Sequence, residues 1–105
     1  MLAMFTASIH SKTKIHITFY SKQDGFNKTR LCAPMDYGAK RQENTKDFRD
    51  KFHSWDYESG EGGHPLSLAQ DQIISMEISE EIFDPAEFVT WPTRWRIARD
   101  WGVYS

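Results

Sequence analysis

The sequence predicts a mainly β fold: a small barrel of about five antiparallel strands, finished by a short C-terminal helix or turn. Three observations lead there. Apolar and polar residues alternate in short runs, which is the period of a half-buried strand. Turn residues separate the runs, with Asp24-Gly25 and the glycines of "ESGEGG" as the clearest cases. The length, 105 residues with 39% hydrophobic content, suffices for one modest core and no second. Residues 1–105 therefore form one domain, with the barrel over about 7–88 and a Trp-rich extension over 89–105.

The first strand is "KIHITFY", where Ile15, Ile17 and Phe19 alternate with His16, Thr18 and Tyr20. "TRLCAP" follows the Asp-Gly turn and completes a β-hairpin. Hydrophobic matching selects a register with Phe19 beside Leu31 and Ile17 beside Ala33, which brings Tyr20 next to Arg30 on the second face. Periodicity then vanishes between Ala39 and Lys51, as in a long exposed loop. It returns at "KFHSWDY", with His53, Trp55 and Tyr57 on one face, turns at "ESGEGG", and resumes with Leu66 and Leu68. "QIISMEIS" supplies a closing strand with Ile74, Met76 and Ile78 toward the core. Asp84 and Pro85 read as the start of a short helix. In "TWPTRWRIARDWG" the spacing of Trp91, Trp95, Ala98 and Trp101 reads as a helical stripe ending at Gly102.

Composition excludes several function classes. Thirteen basic against fifteen acidic residues leave a net charge of −2, so a polyanion partner would have to meet a local patch. No apolar run approaches the length of a bilayer span, and "MLAMFTASIH" has neither the basic start nor the apolar stretch of a leader, so the expected location is cytoplasmic, without membrane contact. The one cysteine, Cys32, has no partner for an internal disulfide and reads as a small buried residue. His53 and His64 with Asp56 or Cys32 lack the paired ligand spacing of a zinc site, so no metal is expected. Cys32 beside a histidine lacks an oxyanion loop and a third orienting group, and "SGEGG" leads into Pro65 and a strand, so neither an enzyme nor a cofactor-binding protein is expected.

Read as short strands, the chain resembles the WYL domain, a small SH3-like or Sm-like barrel usually found C-terminal to winged-helix regulators in bacteria. "ASIHSKTKIHITFYSKQDGFNKTRLCAP" is similar to that family's opening hairpin with its Tyr and its Arg-x-x-x-Pro, and "FHSWDYESGEGGHPLSLAQDQIISMEI" to its central aromatic strand, turn and closing strand. Gln72 stands where the family has an Arg, and Leu66 to Gln70 where it has basic residues. The resemblance implies a regulatory, ligand-binding module for a small anionic or nucleotide-like ligand or nucleic acid. The residues themselves offer aromatic-plus-Arg chemistry on a face containing Tyr20, Arg30, His53 and Trp55. A second reading uses Trp91, Trp95 and Trp101 to dock on a protein partner or a second copy, with the arginines between them facing the acidic stretch 77–87. His53 is decisive for pH response: beside Arg30 it would gain charge near neutrality, whereas buried against Trp55 it would stay neutral.

Overall fold

The computed structural model describes residues 1–40 and 47–105. Five antiparallel strands form one sheet: β1 (Thr13–Ser21), β2 (Phe26–Gly38), β3 (Lys51–Asp56), β4 (His64–Ala69) and β5 (Ile73–Ile82). Their order is β4-β3-β2-β1-β5. In a flat sheet the two edges would stand about 19 Å apart, four spacings of roughly 4.8 Å. Ala69 and Ile73 end and begin those edges, yet only a 3-10 turn, Gln70–Gln72, joins them. That link reaches at most about 14 Å when fully extended. The sheet must therefore curl, which is the barrel-like closure the strand pattern predicts.

One element was not legible in the strand pattern. A helix, α1 (Leu2–Ser11), precedes β1 and ends where Lys12 turns left-handed at φ 54°. Phe5 and Ile9, four residues apart and fully buried, seat it on the core. Phe5 meets the edge of Phe52 at 5.0 Å.

The β1–β2 register differs from the expected one. Ile15 pairs with Cys32, Ile17 with Arg30, Phe19 with Lys28 and Tyr20 with Asn27. The pairing has slipped by three residues, and an odd slip exchanges the faces. The cause is the turn: only residues 22–25 separate the strands, with Gly25 at φ 75°, Ser21 Oγ accepting the Asp24 N–H at 3.2 Å, and Lys28 paired to Asp24. Tyr20 and Arg30 consequently lie on opposite faces of the hairpin.

Pro34 sets the next irregularity. Lacking an N–H, proline is tolerated within a sheet at bulges, and β2 bulges between Pro34, opposite Ser54, and Asp36, opposite His53. Met35 is the extra residue. On β3 the fully buried set is Phe52, Ser54 and Asp56, while His53, Trp55 and Tyr57 do share a face, as expected, but a half-buried one. On β5 the inward residues are Ile73 and Met76. Ile74 is exposed instead, because a register shift after Thr18 inserts it as an unpaired residue, and Ile78, opposite Ile15, is exposed as well.

The tail is not a helix. Residues 89–101 carry no regular structure, and the short turns are 3-10, at Pro85–Glu87 and Gly102–Tyr104. The first fits the expected start: Asp84 caps Ala86 N at 3.0 Å, Pro85 opens the turn, and Glu87 reaches back to Asp84 N at 2.8 Å. Phe88 then stacks on Trp55 at 5.7 Å and meets Tyr57 edge-on at 6.2 Å. Of the loop expected between Ala39 and Lys51, residues 41–46 lie outside the described residues.

Candidate functional site

The bulge in β2 aims Asp36 at the tail. Its carboxylate accepts the Arg96 N–H at 2.9 Å and the Ile97 N–H at 3.1 Å, and stands 3.5 Å from the Arg99 guanidinium. The Met35 carbonyl accepts from Arg99 as well. Arg99 has no exposed side-chain surface and is sandwiched by Trp95 and Trp101, at 4.2 and 4.4 Å from the ring centres. Burial pulls its pKa down to about 10, against the opposing pull of Asp36, so it stays charged at neutral pH. Of the tail arginines, Arg99 thus meets Asp36 by its side chain and Arg96 by its backbone N–H, and the one ion pair of the acidic stretch among the described residues is Lys14–Glu81 at 3.8 Å.

With the tail pinned there, a cleft opens between it and the sheet. Its volume is about 470 Å³, within the range of small-molecule sites. Trp91, Pro92 and Trp95 form one wall, the two indoles meeting edge to face at 6.2 Å. His53 and Ser67 belong to the sheet side, and Lys40, Arg94 and Arg96 bring positive charge. Asp36 also lines the cleft, but Arg99 and two backbone amides already engage it. The remaining charge is therefore cationic. Gly38 contributes by lacking a side chain: a Cβ there would overlap Cδ and Nε of Arg96, which lies across that backbone and donates to Ala39 O at 3.3 Å.

The bonds of His53 select one tautomer of the neutral ring. Its Nε2 lies 2.7 Å from the Gly38 carbonyl, which can only accept, so Nε2 carries the proton and Nδ1 accepts from Ser67 Oγ at 2.8 Å. Burial lowers its pKa from the ordinary 6.5, aided by Lys40 and Lys51 and opposed by the Gly38 bond and Asp36. The buried alternative is the one that fits, although the ring is fixed by Ser67 and Gly38. The consequence for stability has a definite sign. A folded-state pKa below the unfolded one means that the unfolded chain binds the proton more readily, so the contribution is complete above about 6.5 and is lost as pH falls through the folded value. The urea midpoint should fall between pH 7.5 and 5.5, and His53→Gln should flatten part of that fall. An identical slope in both proteins would reject this role.

The other residues singled out from the sequence do not converge on this cleft. Tyr20 is 46% exposed on the hairpin. Arg30 is occupied elsewhere, donating to Glu58 O at 3.3 Å and standing 3.7 Å from Asp56, which itself accepts the Glu58 N–H at 2.9 Å. Arg30 thereby secures the start of the turn after β3, the structural alternative to a ligand contact. Trp55 is half-buried under Phe88, and Gly63, at φ 88°, passes so close that a Cβ would lie 2.7 Å from its indole nitrogen. Trp101 is 3% exposed, and its indole N–H donates to Ile9 O at 2.9 Å. It is a core residue, which corrects its expected use as a docking side chain. Trp91 remains exposed on the cleft wall, with the half-buried Trp95 beside it.

No family model, curated protein or solved structure matches this chain. Chemistry must then come from the side chains themselves. Cys32 is fully buried, and burial raises its thiol pKa well above the ordinary 9.0, with Asp56 and Glu58 adding to the rise. Among the described residues no three His, Cys, Asp or Glu side chains are grouped to hold a metal ion. Nor, among them, is any helix long and apolar enough to cross a membrane. What the sequence could not reveal was that Lys40, Trp91, Arg94 and Arg96 share a site with His53; the signal available was only the interleaving of Trp and Arg in the tail.

Proposed function

We propose that this chain is a non-catalytic ligand-binding module, with its site in the cleft between the tail and the β2–β4 face, and that the ligand is a small planar anion of nucleotide-like chemistry. The observation that carries the reading is the joint placement of the exposed Trp91 indole, the half-buried Trp95 beside it and three cations around one cleft of about 470 Å³. Indole faces and edges hold a flat ring, and Arg or Lys holds a phosphate or carboxylate. His53 supports a binding role over catalysis, because both ring nitrogens are engaged by Ser67 and Gly38. The buried, raised Cys32 thiol supports it too. The resemblance to WYL domains supplies the wider setting we propose, a regulatory module of the bacterial cytosol, with the site moved from the Tyr20–Arg30 face to the tail cleft.

Titration with AMP, adenosine and ribose 5-phosphate, followed by Trp fluorescence and by amide NMR shifts, tests this. AMP should bind most tightly and move residues 36–40, 53, 67 and 91–96. Trp91→Ala should weaken AMP by about 1–3 kcal/mol, the usual worth of a base–aromatic stack. Arg94→Glu should abolish the advantage of AMP over adenosine while leaving the near-UV spectrum of the fold unchanged. Shifts confined to other regions, or no binding at millimolar AMP, would overturn the assignment.

A further inference from the structure

The sheet has two free edges, and they are built differently. β4 is six residues long and has Pro65 beside its first residue, so it lacks one N–H and is blunted as exposed edges usually are. β5 is ten residues long, contains neither proline nor lysine, and hydrogen-bonds only to β1. It also exposes Ile74 (53%), Ile78 (58%) and Ile82 (77%). Its bulges lie at Ile74 and between Ile78 and Ile82, and three accessible isoleucines still remain on the strand. The pairing between Ile15–Thr18 and Ser75–Ile78 is regular, so the opposite edge of that segment is a straight template for another strand.

Charge indicates what would occupy it. Glu77, Glu80, Glu81, Asp84 and Glu87 cluster on and just after this strand, and residues 73–93 contain no Lys or Arg. Glu81 is paired with Lys14, whereas Glu77 and Glu80 have no ion-pair partner among the described residues. A second copy of this edge would bring the same unneutralised acids, and like charges set opposite each other on paired strands are destabilising. The β4 edge of a second copy offers Pro65 and no Lys or Arg over His64–Ala69.

We propose that the β5 edge binds an extended segment of another protein, added as a sixth strand, in which apolar residues alternate with Lys or Arg. Main-chain bonds to β5 give the affinity. Over the regular segment, an apolar side chain covers Ile78 and a basic one on the opposite face meets Glu77, with Glu80 adding to the negative field beyond it. This inference is independent of the tail cleft, because no residue of β5 lines it.

The probe is an acetylated, amidated octapeptide of alternating Lys and Val, titrated into the full-length protein with amide NMR shifts as the readout and the alternating Glu-Val peptide as control. Shifts are expected along residues 73–82, and smaller ones on β1. Ile78→Lys should weaken the Lys-Val peptide at least tenfold; Ser75→Lys, on the same edge, provides a second variant should the first fold poorly. Glu77→Gln with Glu80→Gln should weaken it by about two- to tenfold, the worth of two exposed ion pairs, and flatten its salt dependence. Equal binding of the Glu-Val peptide, or shifts away from β5, would overturn the proposal. So would sedimentation showing a dimer that Ile78→Lys dissociates, which would assign the edge to a second copy.

Discussion

Trp101→Ala is expected to destabilise the protein by about 3–5 kcal/mol, the range for deleting a large buried aromatic side chain. The indole sits 3% exposed, four residues from the end of the chain, and still joins the core. It meets Phe83 edge-on at 5.5 Å and Phe88 at 6.4 Å, and covers one face of the Arg99 guanidinium. Its N–H donates to the Ile9 carbonyl, near the end of α1. Trp101 therefore joins the tail to α1. Trp101→Phe keeps most of the apolar area and loses the bond to Ile9, whose carbonyl still accepts the Lys12 N–H at 3.4 Å, so it should cost about 1–3 kcal/mol, the worth of one buried hydrogen bond plus some lost volume. Urea unfolding of both variants checks this, as does removal of residues 90–105, which should unfold the chain. A loss below about 1 kcal/mol for Trp101→Ala would place the indole outside the core, contrary to its burial.

The strands were legible in the sequence where one face is wet and the alternation is unbroken. β1 is the clearest: Ile15, Ile17 and Phe19 are buried while His16 and Tyr20 are exposed. The alternation misleads where a residue is inserted without a partner. On β5, Ser75 pairs with Thr18 and Ile73 with Phe19, so Ile74 falls between them and the buried residue changes from odd-numbered at Ile73 to even-numbered at Met76. Hairpin register was illegible for a related reason, since only the geometry of residues 22–25 decides it and the sequence admitted longer turns. The tail shows a different failure. Trp91, Trp95 and Trp101 have helical spacing, but Pro92 follows Trp91 and the amides of Arg96 and Ile97 are satisfied by Asp36 on β2 instead of by carbonyls of the tail. Tertiary partners replaced the local ones. The cleft inherits that difficulty: its aromatic and basic residues were visible one by one, but their meeting with His53 depends on a bulge at Pro34 that no periodicity reveals.

Asp36→Ala should be nearly as costly as the loss of Trp101, and for an electrostatic reason. The substitution strands a guanidinium with no exposed surface between two indoles, and also leaves the amides of Arg96 and Ile97 without their acceptor. Removing one partner of a buried ion pair typically costs about 3–5 kcal/mol, because the remaining charge is uncompensated. Most of that penalty should disappear when the charge does. Asp36→Ala combined with Arg99→Met should recover part of the loss, since methionine retains contacts with Trp95 and Trp101 and buries no charge; the two amides remain unmet and keep the recovery incomplete. A double-mutant cycle by urea unfolding gives the coupling directly, expected at about 1–3 kcal/mol for groups in contact. The same cycle reaches the cleft. Asp36 fixes residues 96 and 97, and hence the wall that presents Trp95, Arg94 and Arg96 to His53, so Asp36→Ala should also weaken AMP under conditions where the variant is still fully folded. Additive single losses, with AMP affinity unchanged, would show that the tail is held in place without this ion pair.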